Sequence, residues 1–102
     1  MCAAGSRDEA AAIATALVDA RLAACVQLVP VESVYRWDGA VTRADEVMLH
    51  AKTSTDRLAE AEALIRAQHS YALPEIIAVP ITGGSAEYLA WVREAVSVPA
   101  SR

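Results

Sequence analysis

The sequence has no phenylalanine and only two cysteines among its 102 residues. Without phenylalanine the interior must be filled by alanine, valine, leucine and isoleucine, so close packing of small side chains has to replace aromatic bulk. Cys2 and Cys25 are too few for a disulfide scaffold and do not show the C-x-x-C spacing of a zinc or redox pair. Basic charge is scarce as well. Nine Lys and Arg stand against thirteen Asp and Glu, a formal net charge of -4, and such a surface does not neutralise phosphates as nucleic-acid binding requires. No apolar run approaches the roughly 18 to 20 residues that span a bilayer. The opening MCAAGSRDEA has neither the cationic nor the apolar region of a secretory signal. The expectation is a cytoplasmic protein that binds neither nucleic acid nor membrane. What is present, 55% hydrophobic and 22% charged residues, suits one hydrophobic core and hence a single domain over residues 1–102.

Local signals predict a chain of seven elements. Cys2 to Gly5 reads as a short first strand, although three of these residues are small. Ser6 and Glu9 have capping-box spacing, and Ala10, Ile13, Ala14, Leu17 and Val18 recur on one helical face behind them. Ala23 to Val29 is a short apolar strand that Pro30 interrupts, which places it at a sheet edge or at a bulge. Ser33 to Trp37 alternates and leads into Asp38-Gly39, a pair suited to a tight hairpin turn. Val47 to Thr53 then returns as a strand. Ser54 to Asp56 offer caps for a second helix with Leu58, Ala61, Leu64 and Ile65 as its stripe, ending near Gln68 or His69. Ile76 to Ile81 is a β-branched strand containing Pro80, and Ser85 caps a third helix with Leu89, Val92 and Val96 as its stripe, closed by Pro99. The order β-α-β-β-α-β-α is the α+β, ferredoxin-like split βαβ arrangement, an antiparallel sheet with a C-terminal helix. Right-handed crossovers put the first and third strands in the centre and the two proline-bearing strands outside. Open edges of this kind favour pairing with neighbouring chains.

Five segments together resemble the CutA family of divalent cation tolerance proteins: Leu22 to Pro30 (LAACVQLVP), Ser33 to Gly39 (SVYRWDG), Leu49 to Thr53 (LHAKT), Ser70 to Ile81 (SYALPEIIAVPI) and Tyr88 to Val92 (YLAWV). They lie in order along nearly the whole chain. The resemblance implies a homotrimer joined through the long hairpin and the sheet edges, an association with copper and other divalent cations, and likeness to trimeric PII-like signalling proteins that bind small ligands between subunits. It implies no enzymatic activity and no required cofactor, with Cu²⁺ or another divalent cation as the candidate ion. Some members have a cysteine in the first strand and two adjacent histidines as proposed soft-metal ligands. This chain has Ala4 near the cysteine position, Gln68 at the first histidine and His69 at the second, with Cys2 on the same strand face as Ala4.

His69 and Cys2 are accordingly the candidate metal ligands, imidazole and thiolate being suitable donors; His69 serves equally as a group that closes a helix on its last carbonyls. Lys52, on an expected central strand, needs an opposite charge, which Glu75 or an anionic ligand could supply. Trp37 and Tyr71 could wall a cleft, because each joins an apolar body to a polar handle. Trp37, Lys52, Tyr71 and Glu75 are thus the candidate cleft residues. Two further readings stay open: a non-enzymatic PII-like signalling or scaffold trimer for a protein partner, and an acylphosphatase-type hydrolase suggested by Gly5-Ser6-Arg7.

Overall fold

A computed structural model describes residues 1–98 of the chain. The elements are β1 (Cys2–Ala4), α1 (Arg7–Asp19), β2 (Cys25–Trp37), β3 (Ala40–Lys52), a 3-10 turn (Thr55–Arg57), α2 (Leu58–Gln68) and α3 (Ala86–Ala95). The first helix starts where its cap is written: the Ser6 hydroxyl accepts the Glu9 amide at 3.1 Å. Ala10, Ile13 and Leu17 are buried as the stripe requires, whereas Val18 stays 45% exposed. The helix ends in a Schellman turn. Leu22 N–H reaches Leu17 O at 2.8 Å and Arg21 N–H reaches Val18 O at 3.1 Å, which places Arg21 at φ 59°, a left-handed conformation usually given to glycine.

The sheet is antiparallel with order β1-β3-β2. Pro30 does not end its strand as expected. β2 and β3 each run 13 residues and pair without a break from Cys25↔Lys52 to Trp37↔Ala40, with Pro30 opposite Val47. β2 is the outer strand, where a missing amide hydrogen can face away from the ladder. The turn is made by Asp38 at φ 50° and Gly39 at φ 78°, both positive as a type I′ turn demands.

The expected fourth strand, Ile76–Ile81, is not a regular strand. It touches the sheet through one bridge, Cys2↔Ile76, and through Met1, whose carbonyl accepts the Ile77 amide at 3.0 Å and whose amino group donates to Ile77 O at 2.6 Å. β1 offers three residues to pair with, and Pro74 before the segment and Pro80 within it lack amide donors, so no ladder extends. The side of β1 chosen for the bridge still agrees with the expected strand order.

The register sorts the faces. Cys2, Ala4, Val47 and Leu49 join Ile13, Leu17 and Ile65 in the core, with Val26, Leu28 and Ala51 packed against them. Their neighbours along each strand, including Cys25, Gln27, His50, Lys52 and Ala3, therefore point to the opposite face. In α2, Ile65 is buried and Ala61 and Leu64 are half-buried, but Leu58 is exposed, because the 3-10 turn shifts where the helix begins. α3 is capped by Ser85, whose hydroxyl accepts the Tyr88 amide at 3.2 Å. It buries Val92 and leaves Leu89 half-buried; Val96, just beyond it, is also buried. Pro99 lies outside the described residues.

Candidate functional site

The loop leaving α2 is tied down by a network that joins four elements. Glu9, expected to close the capping box on Ser6, instead accepts the Ser70 amide at 2.7 Å and the Ser70 hydroxyl at 2.9 Å. His69 lies against β1 with Nε2 2.7 Å from the Ala3 carbonyl. The Tyr71 amide donates to His69 Nδ1 at 3.1 Å. That bond fixes the tautomer: Nδ1 holds the lone pair, and Nε2 bears the hydrogen it donates to Ala3. With Nδ1 unprotonated, the 3.5 Å approach of Glu9 Oε2 is a contact rather than an ion pair. The Tyr71 ring stacks at a tilt on His69 with centroids 4.8 Å apart, and its hydroxyl donates to Glu46 Oε2 at 3.1 Å. Burial, then the bond and charge of Glu46, push the phenol up to about 12. Gly5 makes room for this, since a Cβ there would lie 2.8 Å from the Tyr71 hydroxyl.

Cys2 and His69 both reach the Ala3 carbonyl, the thiol at 3.9 Å. Burial pushes the Cys2 thiol up to about 11, with the nearby amino terminus opposing and Glu75, Glu9 and Glu46 adding to the rise. The thiol is therefore held neutral, whereas a metal takes the thiolate. Both ring nitrogens of His69 are occupied by backbone partners. Among the described residues no group of three or more His, Cys, Asp or Glu side chains is gathered in a way that could hold a metal ion.

The four cleft residues are not assembled within one chain. Trp37 stands at the hairpin tip, half its surface open, opposite Ala40. Lys52 ends β3 at the other extreme of the hairpin, and at about 3.3 Å per residue the two are roughly 40 Å apart along the ribbon. Lys52 does lie on the central strand, but beyond the stretch that β1 covers, and its ammonium donates to Gln27 Oε1 rather than to Glu75. Glu75 is exposed, near enough to Cys2 to influence its thiol. Tyr71 sits midway, on Glu46.

Among the described residues, two grooves stand out on the surface. One of about 520 Å³ lies at the start of α1, between Ser6, Arg7, Glu32, Asp45 and Glu46. The other, about 710 Å³, opens between α2, α3 and the extended segment, with Leu58, Ile65, Val79, Leu89 and Val92 in its walls. Thr53 also lines it, and its buried hydroxyl has no hydrogen-bond partner among the described residues. Sequence reasoning missed Glu9 as a long-range anchor and missed Arg57 altogether. Arg57 is buried, donating through Nε to Arg21 O at 3.3 Å and pairing with Glu60 at 2.9 Å, so it clasps the Schellman turn.

This architecture has close relatives. The family model for the CutA1 divalent ion tolerance protein matches residues 1–95. The divalent-cation tolerance protein CutA of Thermus thermophilus is 47% identical over 90 residues, covering 87% of each chain. A solved structure of that organism's divalent cation tolerance protein has a TM-score of 0.90 at 44% identity and covers 92% of both chains. The PII-like protein CutA from Nostoc sp. PCC 7120, solved in apo form, has a TM-score of 0.87 at 31% identity, covering 94% of this chain and 93% of that one. By sequence along almost its whole described length, and by the fold those residues adopt, the chain belongs to the CutA family of divalent ion tolerance proteins.

Proposed function

We propose that the chain works as a homotrimer that binds a divalent cation of the copper class, or a small ligand, in clefts between copies, and that it serves metal tolerance without being an enzyme. The observation that carries this reading is the separation of Trp37 from Lys52, Tyr71 and Glu75. One copy cannot form a pocket from them, whereas one copy's hairpin tip set against another's hairpin root can. The exposed apolar surface supports the same arrangement. Val34, Trp37 and Val41 on the outer ribbon are 57%, 51% and 67% exposed, and Ile77, Val79 and Ile81 on the extended segment are 50%, 64% and 54% exposed. Surface of that kind is normally covered by a partner, and β2 leaves an edge open for one.

Light scattering after gel filtration tests the assembly, with three copies expected and a stable monomer overturning the reading. Calorimetry with Cu²⁺ and Zn²⁺ tests the ligand, with binding tighter than millimolar expected. A trimer that binds neither ion would favour the second reading, a PII-like signalling or scaffold trimer for a protein partner, which the likeness to the PII-like Nostoc protein supports. No resident cofactor is needed for either role. We place the protein in the cytoplasm, where the two free thiols, Cys2 and Cys25, remain reduced. An acyl phosphate assay, unchanged by Arg7→Ala, is the expected negative result for hydrolase activity.

A further inference from the structure

We propose that α3 is a hinged flap, swinging at Gly83 and Gly84, that opens and closes the groove between itself and α2. The last polar ties from the C-terminal stretch to the rest of the molecule are the two hydrogen bonds between Met1 and Ile77. Beyond them, among the described residues, every hydrogen bond of residues 78–98 stays within that stretch. Ser85 caps α3 through the Tyr88 amide, and the bonds of Leu89, Val96 and Ser97 run inside the helix and its end. No ion pair among the described residues uses Glu87, Arg93 or Glu94. Tyr88 and Trp91 stack on each other and stay exposed. α3 is thus seated by apolar contact alone, through Val92 and Val96, which are buried, and Leu89, which is half-buried.

Two exposed glycines precede the cap. A Cβ on Gly83 would meet nothing within 4 Å, and Gly84 has φ 152°, a conformation that other residues rarely adopt. The side chain nearest Gly84 is Leu89 of α3 itself, which moves with the flap. Hinges are a few such positions at the end of an element, where changes in φ and ψ are absorbed. Because the Ser85 cap lies beyond the glycines, rotation carries cap and helix as one body. The groove of about 710 Å³ leaves room for that rotation, with Leu89 and Val92 on the α3 wall facing Leu58 and Ile65 of α2. Opening gives up the burial of two valines and part of a leucine, whereas global unfolding gives up the whole core, so the open state is the more populated of the two. Val79 and Ile81, which the assembly covers, come before the hinge. A neighbour seated on them holds the near side of the hinge and leaves α3 free to swing.

The flap uses residues of one chain and stands whether or not a ligand binds between copies. The experiment is amide hydrogen exchange on the whole protein at one concentration, read at Val92 in α3 and at Leu49 in the central strand, for wild type, Gly83→Ala and Gly84→Ala. In wild type the Val92 amide should exchange at least about a hundredfold faster than that of Leu49. It should also speed up in urea below the unfolding transition, because opening exposes surface. Gly84→Ala strains the closed hinge and should speed Val92 at least about fivefold. Gly83→Ala fits the open space but narrows the swing, and should slow Val92 by about twofold to fivefold. Leu49 should stay unchanged in both variants. Equal exchange at Val92 and Leu49 in wild type, a comparison that needs no variant to fold, overturns the proposal. So does exchange at Val92 that ignores urea, the mark of fraying, or a change at Leu49 in Gly84→Ala as large as that at Val92.

Discussion

Replacing His69 with alanine tests whether its imidazole is a structural clasp. The side chain is fully enclosed, with Nε2 2.7 Å from the Ala3 carbonyl and Nδ1 accepting the Tyr71 amide at 3.1 Å. Truncation orphans both backbone groups, and each buried group left unpaired costs about 1–3 kcal/mol. Adding the lost ring contact with Tyr71, the expected destabilisation is about 3–4 kcal/mol. For a domain of this size that corresponds to a fall in Tm of roughly 10–20 °C. His69→Gln places an amide donor where Nε2 now donates to Ala3 and should lose about half as much. The assay is urea unfolding followed by circular dichroism, at one fixed protein concentration so that assembly contributes equally to each variant. A loss below about 1 kcal/mol in His69→Ala would refute the reasoning. So would a long-range ¹H–¹⁵N spectrum showing the imidazole hydrogen on Nδ1.

Three further outcomes can be checked with the same material. Gly5→Ala should cost about 1 kcal/mol, because the new methyl displaces the Tyr71 hydroxyl and breaks its bond to Glu46; the loss should vanish in a Tyr71→Phe background, where the clash and the bond are both absent. Arg21→Gly should stabilise the protein by about 0.5–1 kcal/mol, since φ 59° suits glycine and the carbonyl held by Arg57 is kept. Stability should fall as pH rises from 9 towards 12. Cys2 and Tyr71 ionise from 9.0 and 10.0 in the unfolded chain but only near 11 and 12 in the folded one. The unfolded state thus holds fewer protons over that window, and the slope of stability with pH is negative. Tm measured across that range should decline less in Cys2→Ala, and equal declines would contradict the assignment.

Legibility from sequence followed the range of the interaction. The Ser6 and Ser85 caps and the Asp38-Gly39 turn could be read because each is settled within four residues. Pro30 rightly marked an outer strand but does not interrupt the ladder, because at an edge its nitrogen can face away from the partner strand. Ile76–Ile81 showed its extended preference, but a ladder requires a partner long enough to pair with, and β1 is three residues long. The candidate residues divided in the same way. Tyr71 and His69 do belong to one network, yet its anchor, Glu9, lies 61 residues from Ser70 and reads locally as a cap. Lys52 was rightly placed on the central strand, but of the two partners left open for it, Glu75 or an anionic ligand, Glu75 is not the one its ammonium meets, which is Gln27, because charge complementarity in a sequence says nothing about which side chains the fold brings together.

The paired strands reach well beyond the helices that brace their root, giving the molecule a longest dimension of 51 Å. An isolated two-stranded ribbon is barely stable in water. Amide exchange between Val34 and Thr42 should therefore be fast in dilute, separated copies and slow once neighbours close around the ribbon, while the amide of Leu49, on the central strand, stays protected in both. The projecting arm is thus a built-in gauge of assembly, readable without any label.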